Sequence, residues 1–163
     1  MLDYIKINFV YDNGFLVRIK KSGGEKIGSI AGYDALCNGK AYRKLSIDYK
    51  TTYVHHAIFI LHHGYLPKYI DHIDGNSLNN KIENLRAATQ SQNLANAKMQ
   101  KRNTSGYKGV SFRKDSKKWR ATIGVNGKLI FLGDFFKKED AAKAYELGAI
   151  KNYSEFARTD CNL

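Results

Sequence analysis

The stretch "DHIDGNSLNNKIENLR", residues 71–86, places Asp71 beside His72, a second aspartate at 74 and four asparagines within sixteen positions. Asn, Asp and Gly tolerate positive φ and satisfy their own backbone, so turn chemistry by itself accounts for a surface loop of this composition. The same residues also form a chemical set. Asp71 supplies a hard carboxylate suited to Mg²⁺, and in an extended chain the next side chain, His72, points to the other face, where an imidazole can act as a base. Asn84 and, further on, Asn93 can fix an imidazole or add a neutral oxygen ligand. Phosphodiester hydrolysis needs these parts: a cation that stabilises the transition state and leaving oxygen, and a base that activates water. An Asp-His pair alone does not choose between loop and site.

Working outward, residues 55–63 contain the continuous apolar run "AIFIL", closed by Gly64 and Pro67, which predicts a short helix stopped by a glycine. Downstream, Thr89 and Gln92 stand in capping-box spacing, so a helix starts at Thr89 and carries Asn93 in its first or second turn. Nearer the N-terminus, Ile5, Ile7, Phe9 and Tyr11 alternate up to Asn13-Gly14, and Phe15, Val17 and Ile19 alternate after it, a hairpin signal over residues 5–20. Residues 42–54 read as strand with a turn near 48–50. The basic segment "KMQKRNTSG", 98–106, reads as a linker. Beyond it, residues 107–112, 118–125 and 129–133 are strand-like. Residues 137–153 predict a helix with Glu139 and Asp140 early, where its dipole favours them. Ala141, Ala142, Ala144 and Ala149 on that helix would let a sheet approach closely.

Twenty-seven Lys and Arg against fifteen Asp and Glu leave a formal charge of +12, which points to a polyanionic partner, nucleic acid before membrane. No apolar run reaches the roughly 20 residues that span a bilayer, and the N-terminus lacks a signal-peptide layout, so a cytoplasmic location is expected. Cys37 and Cys161 form neither a zinc-binding pair nor a disulfide framework and read as thiols.

The run "VHHAIFILHHGYLPKYIDHIDGNSLNNKIENLRAATQSQNLANAK" resembles the HNH homing endonucleases of phages and introns. The counterparts are a His at the helix start, a glycine turn, "DHIDGN", "NN", "NLR" and an Asn in the following helix. The resemblance implies a ββα-metal site, two short strands and a helix around one divalent ion. It casts His72 as general base, Asp71 as carboxylate ligand, Asn84 as the residue holding the His-bearing loop, and Asn93 as second ligand where many relatives carry His. An amide oxygen suits Mg²⁺ or Mn²⁺ better than zinc, so one hard divalent cation and no structural zinc are expected. His55 takes a structural or supporting place. Asn76, Asn79 and Asn80 shape the loop, Asp74 serves the turn, and His56, His62 and His63 are surface or core residues.

From Lys98 to Arg120 there are nine Lys or Arg and one acid, interleaved with Tyr107, Phe112 and Trp119. Phosphate attraction accounts for most of such a run. The pieces "YKGV", "KKWRATI", "LGDF" and "EDAAKAYELGA" resemble an AP2 domain, which implies a three-stranded antiparallel sheet in the major groove with a helix behind it. By motif position Lys108 and Arg113 become DNA contacts, with Lys118, Arg120 and Lys128 on phosphates. Ser111, Gly124 and Phe131 depart from the plant members, so their target sequence does not transfer.

These readings give an α+β chain: a β-rich nuclease domain over 1–97 with a ββα-metal core at about 53–97, a linker at 98–106, and an AP2-like domain over 107–163. The expected activity is metal-dependent DNA endonuclease, homing type, leaving a nick or a staggered cut. Double-stranded DNA is the partner, no membrane is involved, and the protein acts as a monomer or as two molecules at one site. The alternative is a non-enzymatic DNA-binding regulator that retains a decayed nuclease fold. Residues 1–50 are least constrained, and Lys20, Lys21, Arg43 and Lys44 add DNA contacts on charge grounds alone.

Overall fold

A computed structural model describes residues 1–21, 23–47, 50–99 and 102–158. Cys161 and two positions each of the expected 48–50 turn and the 98–106 linker lie outside the described residues. The chain forms two compact units, Met1–Ala88 and Thr89–Leu163. Both mix helices with small antiparallel sheets, the α+β class expected.

The first unit begins with helix α1 (Leu2–Asn8), followed by the hairpin β1 (Phe9–Asp12) and β2 (Phe15–Arg18). The Asn13-Gly14 turn lies where the sequence predicts it, with positive φ at both residues. The strand expected to begin at Ile5 begins instead at Phe9, and Ile5 and Ile7 are helical. Two periods compete here: Ile5, Ile7 and Phe9 fit a strand face, while Leu2, Ile5 and Phe9 fit a helix face. Packing selects the second, since Ile5 and Phe9 are buried and Ile7 is exposed, with α1 lying on helix α2.

Strands β3 (Tyr33–Cys37), β4 (Lys40–Ile47) and β5 (Lys50–Tyr53) form an antiparallel sheet in that order. Helix α2 (Val54–His63) follows and stops at Gly64 in the left-handed region, φ 79°, with the Gly64 amide on the Ile60 carbonyl. It is the unit's central element. Val54, Ala57, Ile58, Phe59 and Ile60 are buried together with Ile5, Leu16, Leu45, Ile70 and Leu85. Each of the larger of these side chains contributes about 1.5–3 kcal/mol of burial. Behind α2 the chain returns as β6 (Tyr69–His72), a polar loop, a single 3₁₀ turn (Ile82–Asn84) and β7 (Leu85–Ala88).

In the second unit, Thr89 caps α3 (Gln90–Asn96) through a full capping box with Gln92, as its spacing predicts. Strands β8 (Val110–Arg113), β9 (Lys118–Val125) and β10 (Lys128–Phe135) form an antiparallel sheet in the order β10-β9-β8, and α4 (Lys138–Tyr153) packs on it. Ala141, Ala142 and Ala149 are buried in the contact, and Ala121 faces them from β9. The approach is close enough that Gly109, at φ +69°, has no room for a Cβ against the Tyr145 ring and the Thr122 carbonyl. Helix α3 packs on α4 and the short 3₁₀ turn after it (Ser154–Phe156). Among the described residues no helix is long and apolar enough to cross a membrane, and Cys37 is a thiol.

Candidate metal centre

The hairpin of β6 and β7 pairs Asp71 with Arg86 and His72 with Leu85. Cross-strand partners share a face, so the register alone brings the Asp71 carboxylate to the Arg86 guanidinium. Arg86 Nε and Nη2 both lie 2.9 Å from Asp71 Oδ2, in a bridge that is nearly buried on both sides. Asp71 is 3% exposed and His72 8%. The "NLR" motif gives Arg86 no role of its own; the hairpin register across the loop is the signal that finds it.

The loop between the two strands is held from within. Asn84 Oδ1 accepts the Asp74 amide (3.0 Å), while its Nδ2 donates to Asp74 Oδ1 (3.0 Å) and to the Asn79 carbonyl (2.8 Å). Asp74 also accepts from the Asn76 amide (2.8 Å) and from Asn79 Nδ2 (2.7 Å). Burial opposes the charged carboxylate of Asp74, but the bonds from Asn79, Asn76 and Asn84 outweigh it and hold the group below its ordinary value. Ser77 Oγ ties the loop to the Ala41 carbonyl of β4 at 2.6 Å. Asn80 behaves differently from its neighbours: it is 2% exposed, and its Oδ1 lies 3.1 Å from His72 Nε2.

His72 packs its ring against His55 of α2, with centroids 4.9 Å apart. Burial pushes the His72 imidazole below its ordinary value; the Asn80 bond and the Asp74 and Asp71 charges pull it up without cancelling that, and Lys40 adds to the lowering. The ring is neutral at neutral pH, the state a base requires. His55 is 5% exposed, lies among Tyr42, Tyr53, His56 and His72, and its Nδ1 is buried with no hydrogen-bond partner. Burial first, then His72 and His56, lower its pKa from 6.5 to about 2.

That shift makes stability depend on pH. The unfolded chain takes up a proton on His55 below 6.5 and the folded chain does not, so the stabilisation is complete above 6.5 and declines as pH falls toward about 2. The slope from this one group approaches about 1.4 kcal/mol per pH unit. Tyrosine-detected urea unfolding should therefore show a lower midpoint at pH 5 than at pH 7, with the difference reduced in His55→Phe. An unchanged difference in the variant would remove His55 as its source.

Asn93 lies on α3, in the second unit, with its amide on the Thr89 carbonyl. Among the described residues no group of three or more His, Cys, Asp or Glu side chains is arranged to hold a metal ion. Mg²⁺ is commonly held by one or two carboxylates together with water and substrate phosphates, and Asp71 meets that need with oxygen chemistry.

On the second unit's sheet, the pairings Arg113 with Lys118, Ser111 with Arg120 and Arg120 with Asp134 put Arg113, Lys118 and Arg120 on one face. Arg120 is bidentate to Asp134, both bonds 2.8 Å, and lies over the Phe131 ring. Arg113 bonds Asp115, and Lys118 lies over Phe136. Lys128 is exposed at the start of β10, paired with Val125 on the opposite face. Lys108 is placed elsewhere: its Nζ donates to the carbonyls of Leu94 (3.1 Å), Ala95 (2.5 Å) and Ala97 (2.8 Å), at the C-terminal end of α3, where a cation is favoured. Arg43, in the first unit, bonds Asp34 and lies over Phe15.

Residues 52–95 match the family described as HNH endonuclease. "Protein 3.8" of Escherichia phage T7 is 43% identical over 91 residues, which cover 55% of this chain and 73% of that protein. An uncharacterized HNH endonuclease of Acanthamoeba polyphaga mimivirus is 37% identical over 123 residues, covering 73% of this chain and 63% of the relative. No solved structure matches the chain.

Proposed function

From the match of residues 52–95 to the HNH endonuclease family, we propose that the chain is a metal-dependent, homing-type DNA endonuclease of that family whose second unit is an AP2-like reader of the duplex. The observation that carries the reading is the placement of a buried His72 next to the buried carboxylate of Asp71, at the end of a hairpin whose loop Asn84 locks.

Asp71 would hold the divalent cation, Mg²⁺ or Mn²⁺, and the motif resemblance assigns the second ligand to Asn93. When bound, the ion supplies charge stabilisation at the scissile phosphate and the leaving oxygen. Arg86 keeps the Asp71 carboxylate in one orientation from the neighbouring strand. His72 takes a proton from water as the water oxygen bonds to phosphorus. The P–O3′ bond breaks, its electron pair leaves with the 3′ oxygen, and solvent protonates that oxygen. The products are 5′-phosphate and 3′-hydroxyl ends, one strand per site, so one molecule nicks and two make a staggered cut. On the second unit, Arg113, Lys118 and Arg120 would meet phosphates, and the acids Asp115 and Asp134 orient the two guanidinium groups beforehand.

Supercoiled plasmid incubated with the full chain and Mg²⁺ or Mn²⁺ should convert to open-circle and then linear forms, and EDTA should stop the conversion. Retarded mobility without conversion under every metal condition, with the fold intact, would replace this reading with that of a DNA-binding regulator.

A further inference from the structure

We propose that Asn80 is a positioning residue for His72, its side-chain carbonyl fixing the imidazole so that Nε2 carries the hydrogen and Nδ1 faces the reaction as the base. The inference deepens the nuclease reading and rests on it for the word base. The geometry of the pair stands by itself.

Asn80 Oδ1 lies 3.1 Å from His72 Nε2, and both residues are buried. A carbonyl oxygen only accepts, so the hydrogen between them sits on Nε2. A neutral imidazole then carries its basic lone pair on the other nitrogen, Nδ1. The His55 ring, 4.9 Å away at 69°, packs against the same imidazole. One hydrogen bond and one ring contact together restrain both the tilt and the protonation pattern of the ring. Asn84 does not share this task, because its side chain is spent on Asp74 and Asn79. The two asparagines divide the work: Asn84 holds the loop, and Asn80 holds the ring.

Asn80 is itself held by the N-terminal hairpin. The Ile82 amide donates to Tyr11 Oη at 3.1 Å, and the Asn13-Gly14 turn lies against the Asn80–Lys81 peptide. The fit there is tight: a Cβ on Gly14 would lie 3.0 Å from Lys81 N and 3.2 Å from the Asn80 carbonyl carbon. From the other side, the bond from Asn84 to the Asn79 carbonyl fixes the preceding peptide. Residues 9–18 thereby gain a role in the site without carrying a chemical group into it. They form the shelf on which Asn80 rests.

The test uses the full chain labelled with nitrogen-15 histidine, in wild type, Asn80→Leu and Asn80→Asp, with His72→Gln to assign the signal. Wild type should show a slowly exchanging, hydrogen-bonded proton on His72 Nε2. Asn80→Leu, of similar volume but without an acceptor, should lose that proton. Its single-turnover plasmid nicking rate should fall by about 10- to 100-fold, the scale of losing a partner that orients a reacting group, with half-saturating DNA concentration unchanged. Asn80→Asp keeps an acceptor and should keep the proton, shifted further downfield, with a nicking rate above that of Asn80→Leu. A wild-type His72 proton on Nδ1 overturns the proposal, as does an Asn80→Leu chain that retains both proton and rate. Equal rate losses in Leu and Asp variants, with the proton retained in Asp, also overturn it. If wild type cuts no DNA with any metal, the nuclease reading fails by itself, and the proton signal still decides whether Asn80 fixes the ring.

Discussion

Replacing His72 with alanine should lower the single-turnover nicking rate by about 10²- to 10⁴-fold, the contribution of a positioned proton acceptor, while DNA binding stays within about twofold of wild type. The separation follows from where the residue sits. His72 is 8% exposed at the end of β6 and touches His55 and Asn80, whereas the basic face of Arg113, Lys118 and Arg120 belongs to the second unit's sheet. Plasmid nicking and gel-shift titration at one salt concentration check both halves. A variant that binds and cuts like wild type would move the base to another residue. A variant that loses binding as much as cutting would show that His72 serves the fold rather than the reaction.

Asn84→Ala should have the second largest effect, and it is structural first. The side chain accepts one bond and donates two, one of them to the charged Asp74. Bonds to neutral partners contribute about 0.5–1.5 kcal/mol each and those to charged groups about 1.5–3, so a loss of about 3–5 kcal/mol in the first unit is expected. Hydrogen exchange gives the local readout: the Asp74 amide, which now bonds Asn84 Oδ1, should lose its protection. Trp119 is the chain's one tryptophan and lies in the second unit, so its fluorescence transition in urea should stay near the wild-type midpoint. Nicking should fall with the first unit's stability, because the freed loop no longer presents Asn80 to His72. Full protection at Asp74 in the variant would mean that the remaining bonds from Asn76 and Asn79 suffice to hold the turn.

The residues of the first unit's candidate site could be grouped from the sequence because they are close together in it. Asp71, His72 and Asn84 sit within one hairpin, and a hairpin whose strands are in register converts sequence position into spatial position. By sequence Asn80 is a loop-shaping residue like Asn76 and Asn79, and the structure separates it from them. Composition could not have done so, since all three are asparagines in one turn-rich segment; what differs is the ring that Asn80 meets. Lys108 shows a related limit. Its motif position makes it a DNA contact; the structure has its ammonium on three carbonyls at the end of α3, and nothing at Lys108 itself signals a helix end next to it.

What the sequence determined by itself was local: the glycine stop of α2, the Thr89 capping box, the Asn13-Gly14 turn, and the three strands and long helix of the second unit. Each of these depends on hydrogen bonds or periodicities spanning only a few residues, so the information lies within the segment. Tertiary structure alone decided whether Ile5 and Ile7 lie in a helix or a strand, which asparagine holds the His72 ring, and why Gly14 must be glycine. The first and last of those outcomes depend on segments far apart in the chain pressing on each other, as α1 does on α2, Gly14 on Asn80 and Tyr11 on Ile82, and the second depends on how the loop folds back onto its own strand. A short window that satisfies two periods takes the one that buries more apolar surface against its distant neighbours.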